Sequence, residues 1–411
     1  MIKKEERQQD ILKIVSKLDI TPSMFKEATE KYEALSKYLH EHSGLRANMY
    51  PQGSFALGTV VRPYYKGEDA SYDLDFICEV SKERDEITPD ELRNAIRSAL
   101  SENKLYSDKL EEFNECFTIH YADINGASFS IDIVPAAGEN LTIKNRLRSK
   151  TARPDLISDA IAIPQEKPSG YDWLTNNPQG FKEWFREINT PFLDYASTEY
   201  RSALFESTDL YGSIEEIPLE MNRSSVQRAI QLLKYHRDIY YLKASDLKPI
   251  SALITYMVAD VASSLIPSTD TFTLLEAVLY QLTLCEQQLH MGQLQFESTV
   301  TAVPLIAYKN HKWLVINPAN PEDNLADKWN TNSAIPAKFF NWVKVAKKDL
   351  IESMIFKDDE FRVFSENAFT PELVQTVWGT KYNAPTATPI TNTPKPWRNK
   401  LCMKSKNTLM S

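Results

Sequence analysis

One aspartate constrains this chain more than any other residue. Asp132 interrupts Phe129-Ser-Ile-Asp-Ile-Val134, a run otherwise built for a buried strand. A carboxylate without a partner among apolar neighbours is costly, so the position needs a reason, and a bound metal supplies one. An upstream run, Ser71-Tyr-Asp-Leu-Asp-Phe-Ile-Cys-Glu-Val80, also reads as a strand. Successive side chains of a strand point to opposite faces, so Asp73 and Asp75 share one side while Leu74 and Phe76 face a core. By the same alternation Ser128, Ser130 and Asp132 share a face, and Phe129, Ile131 and Ile133 the other. Cys116 to Asp123 and Ala127 to Val134 read as two strands of a hairpin around Asn125-Gly126, a pair that tolerates positive φ at both positions. Two neighbouring strands can therefore bring three carboxylates together. An isolated Asp-x-Asp on an edge strand is commonly a solvated face; Asp132 is what argues for more.

Three such charges repel. At ~5 Å and an effective dielectric of ~20 each pair costs roughly 3 kcal/mol. A divalent cation, or two, relieves that cost, and oxygen-only ligands suit Mg²⁺ or Mn²⁺. With two ions, one lowers the pKa of an attacking hydroxyl and the other stabilises charge on a leaving pyrophosphate. Ahead of both acid runs lies Gln52-Gly-Ser54. A glycine lets the backbone approach a phosphate, and a serine hydroxyl can bind it. Gly-Ser alone is a common turn; it gains weight from the acid motifs that follow it in order.

The rest of the chain supplies a frame. Thr21-Pro-Ser23 signals the start of a helix over 22–42, closed by Gly44, and 89–100 reads as another. Residues 140–175, with Pro154, Pro164, Pro168 and Gly170, read as loop-rich. Beyond about residue 220 strand signals fade, and helical periods cover roughly 223–242, 250–265, 271–291 and 336–355. The tail from Pro385 is Pro/Thr-rich, then basic, and lacks either period. The expected fold is α+β: a sheet-and-helix core over 1–215 with a long N-terminal helix, a helical lobe over 216–384, and a tail over 385–411.

Charge narrows the partners. The 411 residues carry a net charge of -9, which argues against coating a nucleic acid by charge alone. The most apolar stretch, 250–266, contains Asp260, Ser263 and Ser264 and reads as a buried helix rather than a membrane span. The start, MIKKEERQQD, lacks the apolar core of a secretory signal. Four dispersed cysteines form no CxxC pair and fit reduced thiols in a cytoplasmic protein.

Gly53-Ser54, Asp73-Leu-Asp75 and Asp132 in Ser-Ile-Asp-Ile-Val-Pro135 resemble the nucleotidyltransferases of the DNA polymerase beta type. Gln52 to Pro63, Trp173-Leu-Thr-Asn-Asn-Pro-Gln-Gly-Phe-Lys-Glu-Trp-Phe185, Val226 to Lys234 and Pro249-Ile-Ser251 are similar to bacterial CD-NTases, relatives of cyclic GMP–AMP synthase. Ile316 to Trp329 is similar to a segment of the helical domain of 2′-5′ oligoadenylate synthetases. The resemblance runs from about residue 50 to 330. It implies a bilobed enzyme with nucleotides in the cleft, Gly53 and Ser54 on the donor triphosphate, and the three aspartates on Mg²⁺ (Mn²⁺ as substitute). It also puts phosphate contacts at Lys234 and Ser251. From the residues alone, Lys234 is equally a solvated helix residue, Ser251 equally a helix N-cap, and Asn317 to Asn324 is read as a structural turn.

The implied activity joins NTPs (ATP, GTP or pyrimidine NTPs) into a cyclic di- or trinucleotide, a second messenger of the anti-phage systems called CBASS that an effector protein reads. The acidic balance argues against activation by DNA. Transfer of nucleotides to an RNA or protein acceptor is one competing reading; a catalytically silent nucleotide-binding module is another.

Overall fold

The computed structural model describes residues 2–62, 64–65, 68–69, 71–121, 128–207, 222–290 and 305–384. Helix α1 (Ile2–Lys17) leads into α2 (Pro22–His42), which begins at Thr21: its side chain accepts from the Met24 amide, with Pro22 in the first turn. Then follow β1 (Asn48–Pro51), the single-turn α3 (Gly53–Ala56), and a small pair, β2 (Tyr64–Tyr65) and β3 (Glu68–Asp69). Next come β4 (Tyr72–Glu83), α4 (Pro89–Glu102), α5 (Lys104–Ser107), β5 (Leu110–Glu112), β6 (Phe117–Tyr121) and β7 (Phe129–Gly138). Helix α4 starts with a reciprocal capping box between Thr88 and Glu91.

The main sheet is seven-stranded and mixed. Its order is β1-β4-β7-β6-β5, with only the β4–β7 pair parallel; β7 also pairs β8 (Ile161–Lys167), which pairs β9 (Gly170–Asn176). The strands read at 71–80 and on either side of residue 125 are present, while Asn125 and Gly126 lie outside the described residues. The loop-rich reading of 140–175 is corrected. The segment holds α6 (Leu141–Arg148), a 3-10 turn at Pro154–Ile157 and the β8–β9 hairpin. Pro164 is tolerated because β8 meets β7 only at Ile161 and Ala162 and is an edge strand beyond that. Gly170, at φ 122°, makes the turn.

The back half is helical: α7 (Pro178–Ser207), α8 (Ser225–Tyr240), α9 (Ser251–Ala262) and α10 (Thr271–His290), then α11 (Ala334–Leu350), α12 (Asp358–Phe369) and α13 (Pro371–Trp378). Two short hairpins interrupt it, β10 (Ala307–Lys309) with β11 (Lys312–Leu314), and β12 (Ile316–Asn317) with β13 (Asn320–Asn324). The sequence had shown no strands there. The stretch read as a turn at Asn317 to Asn324 is the second of these hairpins.

Two large apolar cores result. One lies between the sheet, α2 and α4 and contains Leu74, Phe76, Ile131 and Ile133, none with measurable exposure. The other joins α8–α13 with Trp184, Phe185 and Phe192 of α7 and with Ile11, Ile14 and Val15 of α1. The packing thus cuts across a division of the chain at residue 215, because α1 and α7 share the core of the helical half. The charged start of the chain had hidden α1, although its buried residues recur at helical spacing.

Candidate active site

The parallel register sets Asp73 opposite Ser130 and Asp75 opposite Asp132, and the antiparallel register sets Asp132 opposite Thr118. All three aspartates therefore stand on one face of the sheet, in a row of cross-strand pairs. The adjacent hydroxyls orient two of them. Ser130 Oγ donates to Asp73 Oδ1 at 2.5 Å, and Thr118 Oγ1 donates to Asp132 Oδ1 at 2.6 Å. Both hydroxyl residues are buried, at 3% and 4% exposure, so each donor is fixed beneath its carboxylate.

The carboxylates feel one another. Burial first, then the charges of Asp132 and Asp73, push Asp75 from its ordinary 3.8 up to about 6, against a smaller opposing pull from Lys234. Asp132 is raised as well, by burial above all and by Asp73, with the Thr118 bond working the other way. Among the described residues no three His, Cys, Asp or Glu side chains close around one point to form a ready-made metal site. The donor chemistry nevertheless fits a hard divalent cation. Three oxygen donors line one face, and their mutual repulsion is the quantity such an ion removes.

Gly53 stands against the row. It adopts φ 57°, and a Cβ added there would lie 2.7 Å from Asp75 Oδ2. Only glycine permits both the left-handed backbone and that approach. Gly53 and Ser54 begin α3, where leading N–H groups have no acceptor within the helix. The turn is held from below: the Gln52 amide donates to the Asp75 carbonyl at 2.9 Å, and the Thr59 amide to the Ser54 carbonyl at 2.9 Å.

From the other lobe α8 grips the same loop. Gln227, Gln231 and Lys234, spaced along one helix face, donate to the carbonyls of Leu57, Val60 and Thr59 at 2.9, 2.8 and 3.0 Å. Lys234 is 7% exposed, which overturns the solvated reading. Burial lowers its ammonium from 10.5 to about 8, with Arg237 adding to the effect while Asp238 and Asp75 oppose it. Ser251 is not a cap either: α9 is capped at Ile250 without a side-chain bond, and Ser251 is the first helical residue. Its Oγ accepts from Arg237 Nη1 at 3.1 Å, and the same nitrogen donates to the Pro249 carbonyl.

Gly53, Ser54, Lys234 and Ser251 line one cavity of about 280 Å³ between the lobes, together with Asn317 and Asp323 of the β12–β13 hairpin. The three aspartates are outside its lining; Asp75 borders it through Gly53. The hairpin reaches the cavity through ties to the sheet half. Asn177 Nδ2 donates to the carbonyls of Leu156 and Ala319 at 2.8 and 2.7 Å, and its Oδ1 accepts the Gly180 amide. The runs 173–185 and 316–329, distant in sequence, thus meet at Asn177. Sequence reasoning missed Thr118, Arg237 and Asn177. Thr118 needed the strand register, and the other two needed the contact between lobes.

A mixed sheet presenting three carboxylates beside a glycine-serine turn, with a helical lobe closing a cavity over that turn, is a nucleotidyltransferase fold. Residues 6–189 match the model of the Second Messenger Oligonucleotide or Dinucleotide Synthetase domain. A c-di-GMP synthase of Roseivirga ehrenbergii is 24% identical over 344 residues, covering 83% of this chain and 77% of the relative. The CD-NTase CdnG of Bradyrhizobium diazoefficiens, solved in complex with GTP, superposes with a TM-score of 0.65 at 18% identity, over 90% of this chain and 98% of its own. E. coli MS115-1 CdnC, solved with ATP, gives 0.57 at 14% identity, over 89% and 98%. The chain is thus similar to this synthetase domain over its front half and to CD-NTases in its fold.

Proposed function

We propose that this protein is a metal-dependent cyclic oligonucleotide synthase that joins nucleoside triphosphates with release of pyrophosphate. One observation carries the reading: the carboxylate row of Asp73, Asp75 and Asp132 abuts Gly53 of the turn that, with Lys234 and Ser251, lines the interlobe cavity. A donor triphosphate binds at Gly53-Ser54, with Lys234 and the Ser251 hydroxyl contacting its phosphates. A hydroxyl of the second nucleotide attacks the α-phosphorus, the bond to the β-phosphate oxygen breaks, and pyrophosphate leaves with the electron pair. The hydroxyl proton passes to the carboxylate row. The linear product turns over and a second transfer closes the ring. Asp73, Asp75 and Asp132 would hold Mg²⁺ or Mn²⁺, which would supply charge neutralisation for the phosphoryl transfer. Ser130 and Thr118 fix the aim of the acids, and catalysis is chiefly positioning and electrostatics.

The domain match and the named activity of the 24% identical relative support this reading, as does the binding of GTP and ATP by the structural neighbours. We further place the product in anti-phage signalling in the cytoplasm, where an effector reads it. No described helix is long and apolar enough to cross a membrane. The test is mass spectrometry of small products after incubation with all four NTPs and Mg²⁺ or Mn²⁺, with Asp73→Asn alongside. A phosphatase-resistant cyclic product, lost in the variant and on chelation, is the expected outcome. Label on RNA or protein instead of a small product sinks the proposal, as does full activity in the variant.

A further inference from the structure

Asp323 has no part in the chemistry above, and its setting is unusual. It is a half-buried carboxylate on β13, facing the cavity that Gly53, Ser54, Lys234 and Ser251 line. Two cations of α6 are engaged by its neighbour: Arg146 and Lys150 both pair with Glu322 at 2.7 Å. Among the described residues no cation pairs with Asp323; Asn317 Nδ2 donates to its Oδ2 at 2.9 Å. The Ala319 amide donates to Asn317 Oδ1 at 2.9 Å, so the Asn317 amide has one orientation and its N–H aims at Asp323. Burial and the charge of Asp327 raise the Asp323 carboxyl, the Asn317 bond opposing them.

An acceptor-only group of this kind repels phosphate. The donors of the cavity, Lys234, Ser54 and Ser251, suit a triphosphate; Asp323 suits the part of a nucleotide that offers N–H groups. Its mount is rigid. Asn320 Nδ2 donates to the Thr175 carbonyl at 3.2 Å, Asn177 holds Ala319, and Glu322 carries its two cations, all ties from the hairpin to the sheet half. Half-buried Phe181 and buried Leu325 line the same cavity and offer apolar faces of the sort a base plane requires and a ribose does not.

We infer that Asp323 is a specificity residue that selects guanine, its carboxylate accepting the N1–H and the exocyclic N2–H₂ of the base. Guanine alone among the four bases presents two adjacent donors on that edge. Adenine and cytosine set an amine beside a bare ring nitrogen, and uracil sets one N–H between two carbonyls, so each meets the carboxylate with at least one lone pair. A site built to bond those donors rejects analogues lacking them.

The inference rests on the reading of this cleft as a triphosphate site, and the experiment separates the two. Equilibrium binding of non-hydrolysable GTP, ITP and ATP analogues is measured on the full chain and on Asp323→Asn, with Mg²⁺. ITP differs from GTP only by the missing N2 amine. The wild type is expected to prefer GTP over both by about tenfold or more, and the variant to lose that preference while ATP affinity changes by less than about threefold. Equal loss for all three nucleotides overturns the inference in favour of a ribose contact or a structural role. A wild type that binds triphosphates without separating GTP from ITP overturns it and leaves the synthase reading intact. A wild type that binds none overturns both.

Discussion

The two walls of the cleft are electrostatically incomplete in opposite senses. On the sheet wall Asp75 faces Asp132 across the parallel register, with Asp73 on the same face, and burial with mutual repulsion raises Asp75 to about 6. On the helical wall Lys234 is buried against a backbone carbonyl and depressed to about 8. Each wall carries charge that folding alone disfavours. On the proposed reading a divalent cation would complete the first and an anionic phosphate the second, so a metal–triphosphate would satisfy both at once. Perturbed groups of both signs facing one another are common at functional sites.

Catalysis should separate the two walls most strongly. Asp75→Asn and Asp132→Asn should each lower product formation by about a thousandfold or more, roughly 4 kcal/mol of transition-state stabilisation; near-normal turnover in either removes the sheet wall from the chemistry. Lys234→Met should come next, with a loss of about tenfold to a hundredfold in kcat/KM carried mainly by KM. Its melting temperature should hold or rise, since an ammonium disfavoured by burial is gone. A collapse of stability instead would make Lys234 a structural strut.

The two walls should also titrate in opposite directions. Asp75 is raised on folding, so it favours the native state below about pH 4 and that contribution is lost as pH rises through about 6. Lys234 is lowered, so its contribution is present above its ordinary 10.5 and is lost as pH falls through about 8. Denaturant titrations across pH 4–10 should show the lower slope vanish in Asp75→Asn and the upper one in Lys234→Met. A smaller effect should follow from Thr118→Val and Ser130→Ala, which leave the acids in place but free to turn. About fivefold to thirtyfold lower kcat, with an unchanged fold by circular dichroism, is the expected readout, corresponding to about 1–2 kcal/mol.

The walls also differ in how much of them the sequence disclosed. The carboxylate row was legible because a strand has a period of two, and because an acid inside Phe-Ser-Ile-Asp-Ile-Val has no cheap structural explanation. Gly53 was legible only through its order relative to the acids; its actual constraint, contact with Asp75, is a three-dimensional fact. Lys234 and Ser251 were open to ordinary readings, since a lysine on a helix and a serine after a proline are common surface features. Burial beneath the Gly53–Val60 loop decided the first, and Arg237 the second. Prolines misled over 140–175, where an edge strand and a turn absorb them. The short β12–β13 hairpin, which carries Asp323, has too few residues to show a period at all.

On the proposed reading the carboxylate row is held in a mutual repulsion that a bound cation would relieve. Chemical denaturation of wild type and Asp75→Asn at pH 7, with and without Mg²⁺ and a non-hydrolysable NTP, tests it most directly. Without Mg²⁺ the variant should be the more stable, by up to about 3 kcal/mol, and Mg²⁺ with nucleotide should stabilise the wild type more than the variant. A variant less stable than the wild type without metal, and equally stabilised by Mg²⁺ with nucleotide, would contradict it.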